Sequence, residues 1–180
     1  MKIMTKLSGI IVVFIALYGC GGGGGTSISV SSKVLPVGKN ILVFSLSSTA
    51  KLRTSVSGVD FSITLLPGMS VATTNGLSGP IVPGSVLPVN GKAESIVTFG
   101  TYSVSTRKVI LGMATTNDTF RSGEFLRLIC NVAPNTYITL NDLLTLNSPL
   151  AIKKGVGFDS VTSTSVVLTG SLKLFMDSAL

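Results

Sequence analysis

The sequence contains no histidine and no tryptophan, and only 2 cysteines and 7 acidic residues among 180. Each scarcity removes a class of chemistry. Histidine is the one side chain whose unperturbed pKa supplies a base near neutral pH, so Ser–His and Cys–His nucleophile pairs are excluded. Carboxylate pairs remain, as used to split glycosidic bonds at separations of about 5 to 9.5 Å. The acids available are Asp60, Glu94, Asp118, Glu124, Asp142, Asp159 and Asp177. Asp60 and Glu124 fall at the edges of strand-like segments, where a solvent-facing charge is the simplest reading, and the sequence predicts no enzyme. Calcium takes about six to eight oxygen ligands, and the densest polar groups, Asn117-Asp118-Thr119 and Asn141-Asp142, read as turn formers whose side chains bond nearby backbone. No metal and no cofactor is expected.

The N-terminus is organised for export. Lys2 and Lys6 make it positive, and Leu7 to Leu17 form a short apolar run. That run falls short of the roughly 20 residues that a spanning helix needs, so it reads as a signal helix rather than an anchor. Leu17-Tyr18-Gly19-Cys20 then resembles the lipobox of bacterial lipoproteins: an aliphatic residue, a tolerant position, a small residue and the cysteine that becomes acylated. The resemblance implies cleavage between Gly19 and Cys20 and a thioether from the Cys20 thiol to diacylglycerol, which ties the chain to a lipid bilayer. Several acyl chains hold a protein durably, since each buried methylene contributes about 0.8 kcal/mol. Gly21 stands where an aspartate favours inner-membrane retention in enteric bacteria, so the resemblance points to the outer membrane rather than the inner one. The expected organisation is a signal peptide over 1–19, a lipidated cysteine and glycine tether over 20–25, and one domain over 26–180.

The formal charge of +7 falls by two when Lys2 and Lys6 leave with the signal. The basic doublets are Arg107-Lys108 and Lys153-Lys154, with no run of the kind that tracks nucleic-acid phosphates, so no nucleic-acid partner is expected. With Cys20 committed to lipid, Cys130 has no intramolecular partner, and the domain has to fold without a disulfide.

From Thr26 onward apolar residues alternate, and Ser, Thr, Val and Ile dominate between Gly, Pro and Asn breakers. Phe61, Ile63 and Leu65 alternate with polar residues, and Leu42, Phe44 and Leu46 form a similar set. In GEFLRLICNV, Leu126, Leu128, Cys130 and Val132 share one face and Phe125, Arg127, Ile129 and Asn131 the other, which predicts Cys130 in the core. Further strands are expected over Ile28 to Ser31, Ser95 to Tyr102, Arg107 to Thr115, Ser165 to Leu168 and Ser171 to Met176. The C-terminal SLKLFMDSAL fits strand and helix periods equally. Asn75 to Gly91 reads as the longest irregular stretch, of a length that is usually functional or mobile.

The order of these features resembles the cohesin domain and the carbohydrate-binding modules of the same sandwich superfamily. It rests on Pro36-Val37-Gly38, NILVFSLSS, GVDFSITL with its turn and MSV, then KVILGMATT, GEFLRLICNV and TYITLNDL, over roughly residues 28 to 146. The resemblance implies a single immunoglobulin-like antiparallel β-sandwich, all-β, and a binding role by protein docking or, alternatively, polysaccharide recruitment; a purely structural surface lipoprotein is the third reading. Leu66-Pro67-Gly68 replaces the family's Tyr-Asp-Pro, so dockerin recognition is not carried over. Flat polysaccharide binders need coplanar exposed aromatics. This chain has no Trp, and past the signal its tyrosines are Tyr102 and Tyr137, the candidate glycan-binding pair.

Overall fold

The computed structural model describes residues 33–49, 51–89, 96–116 and 120–179. The signal peptide, Gly19, Cys20, the glycine tether, the strand expected over Ile28 to Ser31, Glu94 and Asn117-Asp118-Thr119 lie outside the described residues.

The strands in chain order are β1 (Val34–Leu35), β2 (Gly38–Ser48), β3 (Ser55–Thr64), β4 (Met69–Ser70), β5 (Gly79–Pro80) and β6 (Val86–Pro88). There follow β7 (Ile96–Ser103), β8 (Lys108–Thr115), β9 (Gly123–Val132) and β10 (Ile138–Thr139). A helix α1 (Leu140–Leu146) then leads to β11 (Ile152–Asp159), β12 (Thr164–Val167) and β13 (Leu172–Ala179). One sheet has six strands in the order β12-β11-β3-β8-β7-β5. The second runs β13-β2-β9, and β4 and β6 share the far edge of β9. Every pairing is antiparallel, and β1 with β10 forms a separate two-stranded ribbon.

The two sheets meet through rings. Phe61 on β3 lies 4.9 Å from Phe44 on β2 and 5.8 Å from Phe125 on β9, centroid to centroid, within the range of favourable tilted and edge contacts. Around them Leu42, Leu111, Leu126, Leu128 and Cys130 are fully buried, so the chain is an all-β sandwich with its core between the sheets. Cys130 lies in that core, as the alternation requires.

Phe125 departs from its expected face. Phe44 pairs Leu126 whereas Ser45 pairs Glu124, so β9 carries one extra residue against β2. This β-bulge turns Phe125 inward beside Leu126, and both are buried. Arg127, Ile129 and Asn131 keep the outward face.

The C-terminal segment is a strand. All eight residues of β13 pair β2, from Leu172 opposite Ser48 to Ala179 opposite Ile41, with Leu172, Leu174, Met176 and Ser178 buried and the alternating residues exposed. Tertiary pairing decides between periods that the sequence leaves tied.

Of the stretch from Asn75 to Gly91, residues 75–89 are described and are more ordered than their composition suggests. They supply β5 to one sheet and β6 to the other, and the Thr98 hydroxyl donates to the Val86 carbonyl at 2.8 Å, stitching β7 to β6 at the sandwich edge. The Asn75 carboxamide accepts from the Leu77 N–H at 3.0 Å, closing a turn through its own side chain.

Strand β11 has no counterpart in the sequence reading. Its inward positions are Gly155 and Gly157, so the alternation that marks a strand is missing. Space dictates the glycines: a Cβ on Gly157 would sit 2.5 Å from the Ser55 carbonyl and from the Thr54 hydroxyl, and one on Gly155 3.0 Å from Leu172.

Candidate functional site

The register of the six-stranded sheet assigns its outward residues row by row. Val167, Val156, Gly58, Ala114 and Val97 lie in register across β12, β11, β3, β8 and β7. The next row runs Lys154, Asp60, Gly112 and Phe99. Phe99 covers Gly112, where an added Cβ would collide with the ring, and Asp60 borders the same spot. Ile110 continues the surface on β8. Val167 is 79% exposed, Val97 66% and Phe99 50%, so a broad apolar strip faces solvent.

The outward face of the other sheet differs. It presents Lys39, Ser45, Ser47, Glu124, Arg127, Asn131, Lys173 and Asp177, with Phe175 among them. Arg127 donates to Glu124 at 3.1 Å, and Asp177 forms an ion pair with Lys33 at 3.6 Å.

A cleft of about 620 Å³ opens at one end of the six-stranded sheet, lined by Arg53, Thr54, Ser55, Ser57, Thr115, Thr116, Arg121, Phe158, Asp159, Ser160 and Val161. A bulge creates room for it: Val56 pairs Gly157 while Gly58 pairs Val156, leaving Ser57 as the extra residue of β3. Bulges re-aim side chains at sheet ends in this way. Arg121 is positioned by Phe120, whose carbonyl accepts from the Val56 N–H at 2.7 Å and whose ring lies 6.4 Å from that of Phe125. Asp159 closes the turn after β11, accepting from the Val161 N–H at 2.9 Å and the Thr162 N–H at 3.4 Å. Those backbone donors, Val161 first, lower its pKa and keep it ionised. The Thr54 hydroxyl is buried and has no hydrogen-bond partner.

The two candidate glycan-binding tyrosines are separated. Tyr102 is 5% exposed on the inward side of β7, and burial raises its phenol pKa against the lowering influence of Arg107. Its ring has no free face for stacking on a sugar, which removes it from that role; pairing with Val109 on β8 fixes it inward. Tyr137 is 76% exposed in the loop before β10.

The described acids are dispersed. Asp60 lies on the outer face of one sheet and Glu124 on that of the other, with the core between them. Asp142 caps α1, Asp159 its own turn, and Asp177 faces Lys33. Among the described residues no three His, Cys, Asp or Glu side chains gather in a way that could hold a metal ion. Cys130 is buried and its thiol pKa is pushed up to about 12, away from nucleophilic use.

No protein-family model matches the chain, and no curated protein or solved structure matches it.

Neither surface was visible in the sequence. Arg53 with Ser57, Arg121 and Phe158 come from three distant parts of the chain and converge only through the pairing of β3 with β8 and β11. The apolar row draws single residues from five strands.

Proposed function

We propose that this chain is a lipoprotein of the bacterial envelope, anchored through acylated Cys20, whose immunoglobulin-like, cohesin-type sandwich is a non-catalytic module that docks a protein partner. The docking surface is the outward face of the six-stranded sheet. The observation that carries the reading is the solvent-facing apolar row from Val167 to Val97, flanked by Phe99 and Ile110, on a sandwich whose opposite face is charged. Exposed contiguous apolar surface rimmed by polar residues is a mark of interaction sites. The side chains in the row are β-branched or small, stiff and flat, and suit a protein surface better than a sugar ring. Lys154 and Asp60 in the adjoining row supply a polar rim that sets orientation. The lipobox-like Leu17-Tyr18-Gly19-Cys20 supports the anchor, and the absence of an inner-membrane retention aspartate at Gly21 favours the outer membrane.

Two measurements test this. Labelled palmitate is expected to enter the wild-type chain and not the Cys20→Ser variant. For docking, a photo-crosslinking amino acid is placed at Ala114 on the apolar row or at Asn131 on the charged face of the full chain in bacterial cells. A discrete protein adduct is expected from Ala114, absent from Asn131, and lost on adding Val97→Asp and Val167→Asp. Equal adducts from both positions, or none from Ala114, would leave the domain a surface lipoprotein without a docking face.

A further inference from the structure

We propose that the end of the sandwich at which the chain enters the domain rests on an anionic lipid surface. Val37, Leu77, Val104 and Tyr137 lie in the interface, and Lys39, Arg107 and Lys108 lie among the headgroups. This contact builds on the lipid anchor proposed above and is independent of protein docking on the six-stranded sheet.

Hydrogen bonds and close packing gather five segments at this end. The Val104 N–H donates to the Ser78 hydroxyl at 2.8 Å, which sets the loop over 73–79 beside the turn between β7 and β8. The Leu65 N–H donates to the Arg107 carbonyl at 2.8 Å, and the Arg107 Nε donates to the Leu65 carbonyl at 3.2 Å, joining that turn to 64–69. The Ala133 N–H donates to the Gly68 carbonyl at 2.8 Å and a Cβ on Gly68 would strike Thr136, so 133–138 packs on 64–69. Leu35 pairs Ile138, which brings in 33–39.

These five segments carry Lys33, Lys39, Arg107 and Lys108 and no acid. Two acids border them: Asp177 pairs with Lys33, and Asp142 is committed to the cap of α1. Among the described residues no acid pairs with Lys39, Arg107 or Lys108, and all three are exposed. Val37, Leu77, Val104 and Tyr137 are each exposed by half or more. The other end of the sandwich sets Asp159 beside Arg53 and Arg121 and is of mixed sign.

Apolar tips interleaved with bases suit a bilayer better than a protein. The core of a protein interface is depleted of lysine and asks for one contiguous complementary patch. At a lipid surface valine and leucine dip into the acyl boundary, tyrosine sits at the headgroup level, and lysine and arginine stems reach back to phosphate. Lys33, through which the domain connects to the segment bearing Cys20, lies at this end, so tethering and contact act on the same end. The contact holds the domain upright. Gly58, Ala114 and Val97 of the apolar row lie toward the far ends of β3, β8 and β7, and are kept away from the bilayer.

The test uses the full lipidated chain on protein-free vesicles of phosphatidylcholine, with or without phosphatidylglycerol. Cys130 is buried and Cys20 acylated, so Val37→Cys, Val104→Cys or Val161→Cys each adds one reactive thiol for a fluorophore. Val161, in the turn between β11 and β12, reports the opposite end. On anionic vesicles acrylamide is expected to quench the labels at Val37 and Val104 severalfold less than the label at Val161. Each base near an anionic surface strengthens attachment roughly fivefold, so Lys39→Gln/Lys108→Gln should weaken the contact roughly twentyfold and restore quenching. High salt should do the same in the unsubstituted chain, which keeps the readout independent of any variant's folding. Equal quenching at all three positions, in a chain that still floats with the vesicles, would overturn the contact and leave the anchor standing. Protection that is identical on neutral vesicles and unmoved by salt would overturn it too, since the bases would then have no part. Protection found in native envelopes and absent from protein-free vesicles would assign this end to a protein instead. A chain that floats with neither vesicle and takes up no palmitate would sink the anchor and the contact together.

Discussion

Cys130 gives the core a built-in alkaline sensitivity. Its thiol ionises at an ordinary value of 9.0 when free, and burial among apolar neighbours pushes it up to about 12 in the folded chain. Below pH 9 both folded and unfolded chains carry the neutral thiol, so the residue has no effect on the balance. Between 9 and 12 the unfolded chain releases its proton and the folded chain does not. Unfolding is therefore favoured by about 1.4 kcal/mol per pH unit, approaching about 4 kcal/mol near pH 12. That is a large share of the roughly 5–15 kcal/mol by which domains are stable. The perturbation is Cys130→Ala, which removes the titrating group and leaves the strand register of β9 intact. Urea unfolding of wild type and variant at pH 7, 9, 10 and 11 gives two curves of stability against pH. Every other ionisable group is common to both proteins and cancels in the difference. The variant starts lower because of the lost sulfur, and the gap is expected to close above pH 9 and then to change sign. Parallel curves from pH 9 to 11 would refute the reasoning, because a thiol exposed to water in the native chain has no differential proton to lose.

Phe61→Ala removes the ring that joins Phe44 to Phe125 across the sheets, and large-to-small changes at such sites cost about 3–5 kcal/mol. At roughly 2–4 °C per kcal/mol for a domain of this size, the melting temperature followed by circular dichroism should fall by about 6–20 °C. Thr139→Ala removes half of the capping box of α1, in which the Thr139 hydroxyl accepts from the Asp142 N–H at 3.1 Å. Thr139→Ala should destabilise by about 1 kcal/mol and Thr139→Ser should restore most of it, read from denaturant midpoints.

The parts of the fold that were legible in the sequence are those where one face of a strand carries its signal alone. Leu126, Leu128, Cys130 and Val132 alternate without interruption, and β7, β8 and β12 fall within one or two residues of their expected spans. Prediction failed where the determining partner is remote. Glycines at the inward positions of β11 erase its pattern, and they are there because Ser55, Thr54, Leu168 and Leu172 already occupy the space. Phe125 points inward through a bulge that depends on β2. Tyr102 is turned inward by its register with β8. The helix α1 did carry a local signal, Thr139 followed three residues later by Asp142, which the emphasis on alternation passed over.

The contrast between the two outward faces bears most directly on what the domain is for. An antiparallel sheet with one face in the core ordinarily presents polar side chains to water on the other. The five-stranded sheet follows that rule outside a short aliphatic group, Val43, Ile41 and Ile129, in which Ile41 lies in register between Ile129 and Ala179. Val43 pairs both Arg127 and Asp177 and is buried accordingly. The six-stranded sheet breaks the rule across a whole row, with valines on three strands and only Gly58 and Ala114 between them. Small central residues flatten the surface, and stiff β-branched side chains at its ends have little rotamer freedom to lose on association. A row needed only for sheet propensity could use threonine at each of these positions without weakening the ladder. Val97→Thr together with Val167→Thr therefore separates the two roles: the melting temperature should stay within a few degrees of wild type, while the Ala114 crosslink should weaken.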